Sequence, residues 1–311
     1  MQKEKAGKKK QWSQTIFLIV ILALPILNWL VFWLYINLNS ILLAFQDRNA
    51  NWTLQNFAEF WESLVEPVDY GGSVQLALLN TLKYFAVDLL VLLPLALILS
   101  YFMYKRIFGF RVFRVIFYLP VIISAVALTT VYKEFIDPNG PLGKICELFG
   151  ITMPAEGLLA RNGSATNMIL IYHIWTGFGV NVLLLGGAMS RIPLDVLEAA
   201  RLDGVGPGRE IMEFILPLIW PTLSTMLIFQ LTAVFTASGP ILLFSPNGDY
   251  NTTTISFWIF KRVYGGGIVS TGVSAREINL VSCTGLCFTA IGVPLILGAR
   301  KLLEKIPAVE Y

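Results

Sequence analysis

Charge is what this sequence has least of. Only 14% of its 311 residues are Asp, Glu, Lys or Arg, against roughly 25% in an average soluble chain. Cysteine is confined to Cys146, Cys283 and Cys287, at neither disulfide-framework nor metal-ligand spacing. His173 is the single histidine, which removes His-based metal clusters and His-based nucleophile pairs from consideration. No G-x-x-x-x-G-K-[ST] occurs, so the chain holds no nucleotide by a P-loop. Gly204, Gly206 and Gly208 are not spaced as G-x-G-x-x-G, and no buried strand precedes them. With 56% hydrophobic residues and a mean hydropathy of +0.68, these absences exclude a soluble enzyme, a disulfide scaffold and a disordered chain.

What is present is a set of long uncharged apolar runs. No charged side chain stands between Gln11 and Gln46, Val115 and Tyr132, Asn162 and Ser190, Phe214 and Gly248, or Ile278 and Ala299. Crossing ~30 Å of hydrocarbon takes about 20 apolar residues in a helix. Dyad alternation is missing, which excludes a membrane barrel. An all-α integral membrane protein follows, with six spans: Thr15–Ile36, Leu78–Tyr104, Val115–Tyr132, Met168–Met189, Phe214–Ser238 and Ile278–Ala299. The basic start MQKEKAGKKK precedes a run too long for a signal-peptide core and without a small-residue cleavage site, so an uncleaved first span is expected.

Lys and Arg prefer the cytoplasmic side of a membrane. With the N-terminus inside, fifteen of the 23 fall in inside segments, although the outside segments are much longer. Both termini are therefore expected in the cytoplasm, in a plasma or inner membrane. The expected organisation is a basic cytoplasmic N-terminus (1–14), a first span with its outer loop (15–77), a core of five spans (78–299) and a cytoplasmic C-terminus (300–311).

Between spans 4 and 5 lies a segment too polar for hydrocarbon, IPLDVLEAARLDGVGPGREIMEFILP. Pro193 can open a helix on which Leu194, Leu197 and Arg201 share a face. The glycines at 204, 206 and 208 and Pro207 break it, and a second helix from about Arg209 leads into span 5. A cytoplasmic helix–turn–helix is expected, with its charges pointing outward. Its five acids (Asp195, Glu198, Asp203, Glu210, Glu213) outnumber its three arginines. That balance favours a protein partner over anionic lipid.

Three ionisable groups fall inside the spans. Lys83 and Asp88 are five residues apart, about 140° around a helix, so they do not pair along one face. Lys83 can snorkel outward, whereas Asp88 needs a partner or a wet cavity. His173 and the Arg276–Glu277 pair at the mouth of the last span carry no evident assignment.

The stretch EAARLDGVGPGREIMEFILP resembles the EAA loop of bacterial binding-protein-dependent ABC importers. The match is carried by Glu198, Ala199, Ala200, Gly204, Leu216 and Pro217, with Phe214 in place of the usual Ile. NTLKYF, GFRVFRVIFYLPVIIS and IYHIWTGFGVN extend the similarity over most of the chain from about Leu78. The form of the glycine turn is similar to that of the sugar-importing branch. The resemblance implies a compact six-span permease subunit, like the first membrane subunit of maltose-type transporters. Its coupling loop (190–213) would dock on a separate ATPase, with Glu198, Ala199, Ala200, Arg201, Asp203, Gly204 and Pro217 as the coupling residues.

It further implies a second permease subunit, an ATPase dimer that binds ATP and Mg, and an extracytoplasmic solute-binding protein. Contact with membrane lipid is expected too. No cofactor or metal is expected in this chain, no enzymatic activity, and no nucleic-acid partner. The solute would be a sugar or oligosaccharide, or alternatively a sugar phosphate, polyamine or amino acid. A secondary carrier fits less well, because intramembrane acids are few and no internal repeat is evident. Trp175, Asn181, Gln230, Thr232, Thr236 and Ser238 supply the aromatic faces, amides and hydroxyls that a sugar path needs.

Overall fold

A computed structural model describes residues 2–65, 74–236, 239–264 and 275–306, with side chains for all of these except 2–11, 13, 14, 194, 201 and 236. Among the described residues the regular structure is helical, apart from one antiparallel bridge between Gln46 and Trp52. Four helices are long and apolar enough to cross a membrane: α1 (Thr15–Ala44), α3 (Val74–Tyr104), α7 (Ser164–Met189) and α12 (Ala275–Leu303). Between them lie α2 (Gln55–Val65), α4 (Phe110–Ile122), α5 (Ala125–Ile136) and α6 (Pro141–Leu148). After α7 come α8 (Leu194–Leu202), α9 (Pro207–Leu218), α10 (Trp220–Thr236) and α11 (Ile255–Tyr264).

Two of the six expected spans are broken. Phe110–Ile122 and the following Ala125–Leu148 are bent by 110°. Pro120 removes a backbone donor near the end of α4, and Ile123 then turns extended at φ −80°, ψ 144°. Pro207–Leu218 and Trp220–Phe235 are bent by 80°. The expected fifth span, Phe214–Ser238, thus contains a bend: Phe214 belongs to the helix before it, and Trp220 opens the helix after it. Ser238 lies outside the described residues. If each bent pair is one span, the total is six.

Proline also explains two local widenings. A π turn covers Asp88–Leu92 just before Pro94, and another covers Glu210–Ile215 just before Pro217. A proline ring clashes with the carbonyl one α-turn back, and widening the helix by one residue moves that carbonyl away.

Packing along α3 orders the molecule. At its start Val74 and Ala77 join a cluster with Ala44, Phe60, Trp258, Val281 and Phe288. From Leu93 to Met103 it joins a second cluster with Val182, Leu185 and Met189 of α7 and Ile215, Ile219 and Met226 around the 80° bend. Gly179 lets α7 approach α4 closely, for a Cβ there would lie 2.5 Å from Val121 and 2.7 Å from the Phe117 carbonyl oxygen. By contrast, none of the apolar window of α1 is buried against the rest of the chain.

Candidate functional site

The segment between α7 and α10 is held to the bundle by its apolar side. Leu197 and Ala200 of α8 are buried, while Asp195, Glu198, Ala199, Leu202 and Asp203 face out. Leu202 is 89% exposed. The helix ends in a two-bond cap: Val205 N–H donates to the Ala200 carbonyl (3.1 Å) and Asp203 N–H to that of Ala199 (3.1 Å). Gly204 completes the turn at φ 72°, in the left-handed region. Gly206 is extended and Pro207 opens α9.

One charge departs from the outward-facing pattern expected of this segment. Glu210 is only 4% exposed. It forms an ion pair with Lys105 at the end of α3 and accepts a hydrogen bond from Tyr101 Oη at 3.1 Å. Glu210, Ile215 and Leu218 are buried together on the inner side of α9. Arg209 and Glu213 stay outside and pair with each other at 3.0 Å. A cavity of about 750 Å³ opens beside this segment, with Arg106, Arg114, Tyr118, Gly187 and Glu198 among its walls.

A second polar feature lies midway along α3. Asp88 meets His173 Nε2 of α7 at 2.8 Å, and Tyr84 packs edge-on against the His173 ring. A cavity of about 40 Å³ adjoins them, bounded also by Thr81, Gln230, Gly239 and Thr254. Tyr84 Oη, Gln230 Oε1 and Thr254 Oγ1 are buried there without a protein hydrogen-bond partner. Thr81 Oγ1 is satisfied, donating to the Ala77 carbonyl at 2.7 Å and accepting from Ile255 N–H at 3.0 Å. One turn away Lys83 Nζ donates to Asn167 Oδ1 at 2.6 Å, so Lys83 and Asp88 each pair across to α7 and not with each other. Buried polar atoms of this kind call for donors and acceptors from water or a ligand. Among the described residues no three His, Cys, Asp or Glu side chains gather where a metal could sit.

No family model matches the chain. Curated relatives do. The sn-glycerol-3-phosphate transport system permease protein UgpA of Yersinia pestis is 24% identical over 235 residues, 75% of this chain and 76% of that one. The lactose transport system permease protein LacF of Rhizobium radiobacter is 25% identical over 255 residues, 79% of this chain and 78% of that one. The multiple sugar-binding transport system permease protein MsmF of Streptococcus mutans is 25% identical over 160 residues, 51% and 54% of the two chains. This chain is a relative of the sugar ABC-transport permeases. Its fold agrees with that of a bacterial ABC transporter involved in the import of the acidic polysaccharide alginate, at TM-score 0.75 and 21% identity, covering 96% of this chain and 99% of that one. The alginate transporter in complex with an alginate pentasaccharide-bound periplasmic protein gives TM-score 0.79 at 20% identity, covering 96% and 97%.

Within this permease-like fold the six candidate path residues do not form one group. Gln230 reaches the Asp88–His173 cavity. Trp175 packs edge-on against Tyr172 at 6.0 Å between ring centroids, in an aromatic cluster with Tyr132 and Phe244. Asn181 Nδ2 donates to the Gly177 carbonyl and Thr232 Oγ1 to that of Ile228, each within its own helix. The side chains of Thr236 and Arg201 and the whole of Ser238 lie outside the described residues. Of the coupling residues, Glu198, Ala199 and Asp203 are exposed, Ala200 is buried in its own fold, and Pro217 precedes the 80° bend. Ala200 thus serves packing within the chain and leaves Ala199 at the surface.

The Asp88–His173 pair and the inward Glu210 are the features that chain order conceals. A signal for the first exists: Tyr84 precedes Asp88 by one helical turn, and the lone histidine is the available partner for a lone intramembrane acid. Arg276, unassigned from sequence, pairs with Glu59 of α2 at 2.7 Å.

Proposed function

We propose that this chain is one membrane-spanning half of an ATP-driven importer that passes a neutral sugar or oligosaccharide from an external binding protein into the cytoplasm. In this reading α4 with α5, and α10, are the two further spans that make six, both termini are cytoplasmic, and α8–α9 is the coupling element on the cytoplasmic face. The observation that carries it is the construction of α8. Leu197 packs it into the cluster shared with α3 and α7, Ala200 is buried, the Gly204 turn fixes its end, and Glu198, Ala199, Leu202 and Asp203 are exposed on the opposite side. A rigid helix with an exposed leucine among acids suits a protein cleft with a basic or backbone donor for Glu198. Since the chain has no P-loop, the nucleotide, its Mg and the hydrolysis belong to a separate ATPase dimer, and a second permease subunit completes the pathway. The relatives' roles in sugar and glycerol-phosphate transport systems support the same class.

The cavity between α3, α7 and α10 bears on the solute. Hydroxyl groups both donate and accept, which is what Tyr84, Gln230 and Thr254 lack. No Lys or Arg is among its walls, and Asp88 is its one acid. At about 40 Å³ the cavity has room for water and not for a sugar ring. In this reading a neutral polyhydroxy solute therefore reaches these groups in a state in which the helices have parted, and the lack of a basic side chain disfavours a phosphate or a uronate.

The decisive experiment coexpresses the chain with its candidate ATPase and second permease, reconstitutes the complex in vesicles, and supplies the binding protein with labelled sugars. ATP-dependent uptake by the complex, and none by the chain alone, is expected. Uptake by the isolated chain without an ATPase would overturn the proposal.

A further inference from the structure

We infer that the buried Lys105–Glu210 pair, with Tyr101, is the linkage through which α8–α9 moves the polar cavity on α3. The inference rests on the importer reading and adds a positioning role for residues outside the EAA pattern. Among the described residues Glu210 is the one buried charged side chain. Its carboxylate is held by two groups of α3, the Lys105 ammonium and the Tyr101 hydroxyl, and Lys105 also lies over the Tyr101 ring at 5.3 Å. A buried pair of this kind is a poor source of stability, because apolar side chains of similar volume hold two helices as well or better. What it provides is direction. Leu and Ile contacts tolerate sliding, whereas a carboxylate gripped by two donors fixes one helix against the other.

The helix it grips leads to the cavity. Lys105 caps the end of α3, and Asp88 stands 17 residues earlier on the same continuous helix, about 25 Å along its axis. The π turn Asp88–Leu92, followed by Pro94, separates the gripped half from the half that carries Tyr84. Helices kink at such turns and at prolines, and π turns recur at functional sites. At the last residue of this turn α7 is packed close, for a Cβ at Gly177 would lie 2.9 Å from Leu92 Cδ2. Displacement of α9 therefore pulls the end of α3, and α3 yields at the π turn, where Asp88 meets His173.

The test uses the complete importer in vesicles with its binding protein, comparing Glu210→Gln, Lys105→Met and the reciprocal exchange of Lys105→Glu with Glu210→Lys. The readouts are solute taken up per ATP hydrolysed and stimulation of ATPase by loaded binding protein. Each single variant should assemble and keep unstimulated hydrolysis within about twofold, yet lose roughly tenfold in uptake per ATP, in the range of ordinary allosteric coupling. The exchange should recover at least a third of that loss. Tyr101→Phe removes one hydroxyl and should lose about threefold, which keeps the test open if a charge variant fails to assemble. Fewer assembled complexes with a normal uptake-to-ATP ratio would mean a purely structural pair and overturn the inference, as would a fully coupled Tyr101→Phe. A wild-type complex that neither hydrolyses ATP nor transports would instead bring down the importer reading itself.

Discussion

Replacing Gly204 isolates backbone conformation from side-chain contact. A Cβ built at Gly204 meets nothing within 4 Å, and the same holds at Gly206. The two positions differ in φ: 72° at Gly204 and −75° at Gly206. An L side chain in the left-handed region costs roughly 1–2 kcal/mol, and a β-branched one sits at the upper end or beyond. At Gly206 the extended backbone is one that valine adopts without strain. Gly204→Val therefore strains the turn by about 2 kcal/mol, enough to shift its population by a factor of roughly 30. Relief comes by breaking the Val205-to-Ala200 bond, which frays α8 and redirects Glu198, Ala199 and Leu202. Binding-protein-stimulated ATPase activity and uptake in vesicles should fall between fivefold and thirtyfold. Membrane insertion and protein level should stay normal. Gly206→Val should remain within twofold of the wild type, and Gly204→Asn should lie between, since Asn tolerates left-handed φ. Equal effects at 204 and 206, or normal transport by Gly204→Val, would refute the argument and reduce the loop to a passive connector.

Three further outcomes are expected. Single cysteines at Gly109, Gly206 and Ala308, in a background without the native three, should label from the cytoplasmic side, and those at Trp61 and Gly157 from outside; outside labelling at Gly206 would end both the topology and the coupling role. Glu198→Ala should leave expression unchanged, because the side chain is exposed, and weaken stimulated ATPase by at most the roughly 1.5–3 kcal/mol of one charged hydrogen bond. Gly179→Ala places a Cβ 2.7 Å from the Phe117 backbone oxygen and should cost about 1–3 kcal/mol of stability through overpacking, visible as a lower melting temperature in detergent, while Gly187→Ala, with open space around it, should not.

Hydropathy located the helices because it measures where a chain can leave water, and that is decided by composition over about 20 residues. It is blind to breaks inside an apolar run. The bends at Ile123 and Ile219 are caused by backbone, and Pro120, Pro217 and Pro221 were weak signals because proline is common in membrane helices. The Gly204 turn was legible, since only a few residue types end a helix in that way. Glu210 was not. Its partner Lys105 is 105 positions upstream, and a charge on a polar segment is normally solvated. Asn181 and Thr232 have the chemistry of a sugar site but spend it on their own helices, a use that sequence does not distinguish from a ligand contact.

The distribution of contact along α3 places its polar groups between two bodies. Val74 and Ala77 belong to one apolar cluster and Leu93 to Met103 to another; between them Tyr84 and Val87 pack in a third with Leu128, Tyr132 and Phe244, and the same stretch carries Thr81 and Asp88. Two packed bodies that shift against each other must give way at the region between them. Apolar packing there would resist every displacement alike or slip without direction. A few hydrogen-bonding groups instead offer discrete arrangements, because each broken bond must be replaced by another buried partner. A hydroxyl-bearing solute is such a partner. Its arrival at Tyr84, Gln230 and Thr254 would stabilise one arrangement of the two bodies over the other, and a ligand shifts an equilibrium only by such differential contact. The same helix carries the Lys105–Glu210 grip at its end, so on the proposed function an arrangement that the solute selects at the cavity would be felt at α8–α9.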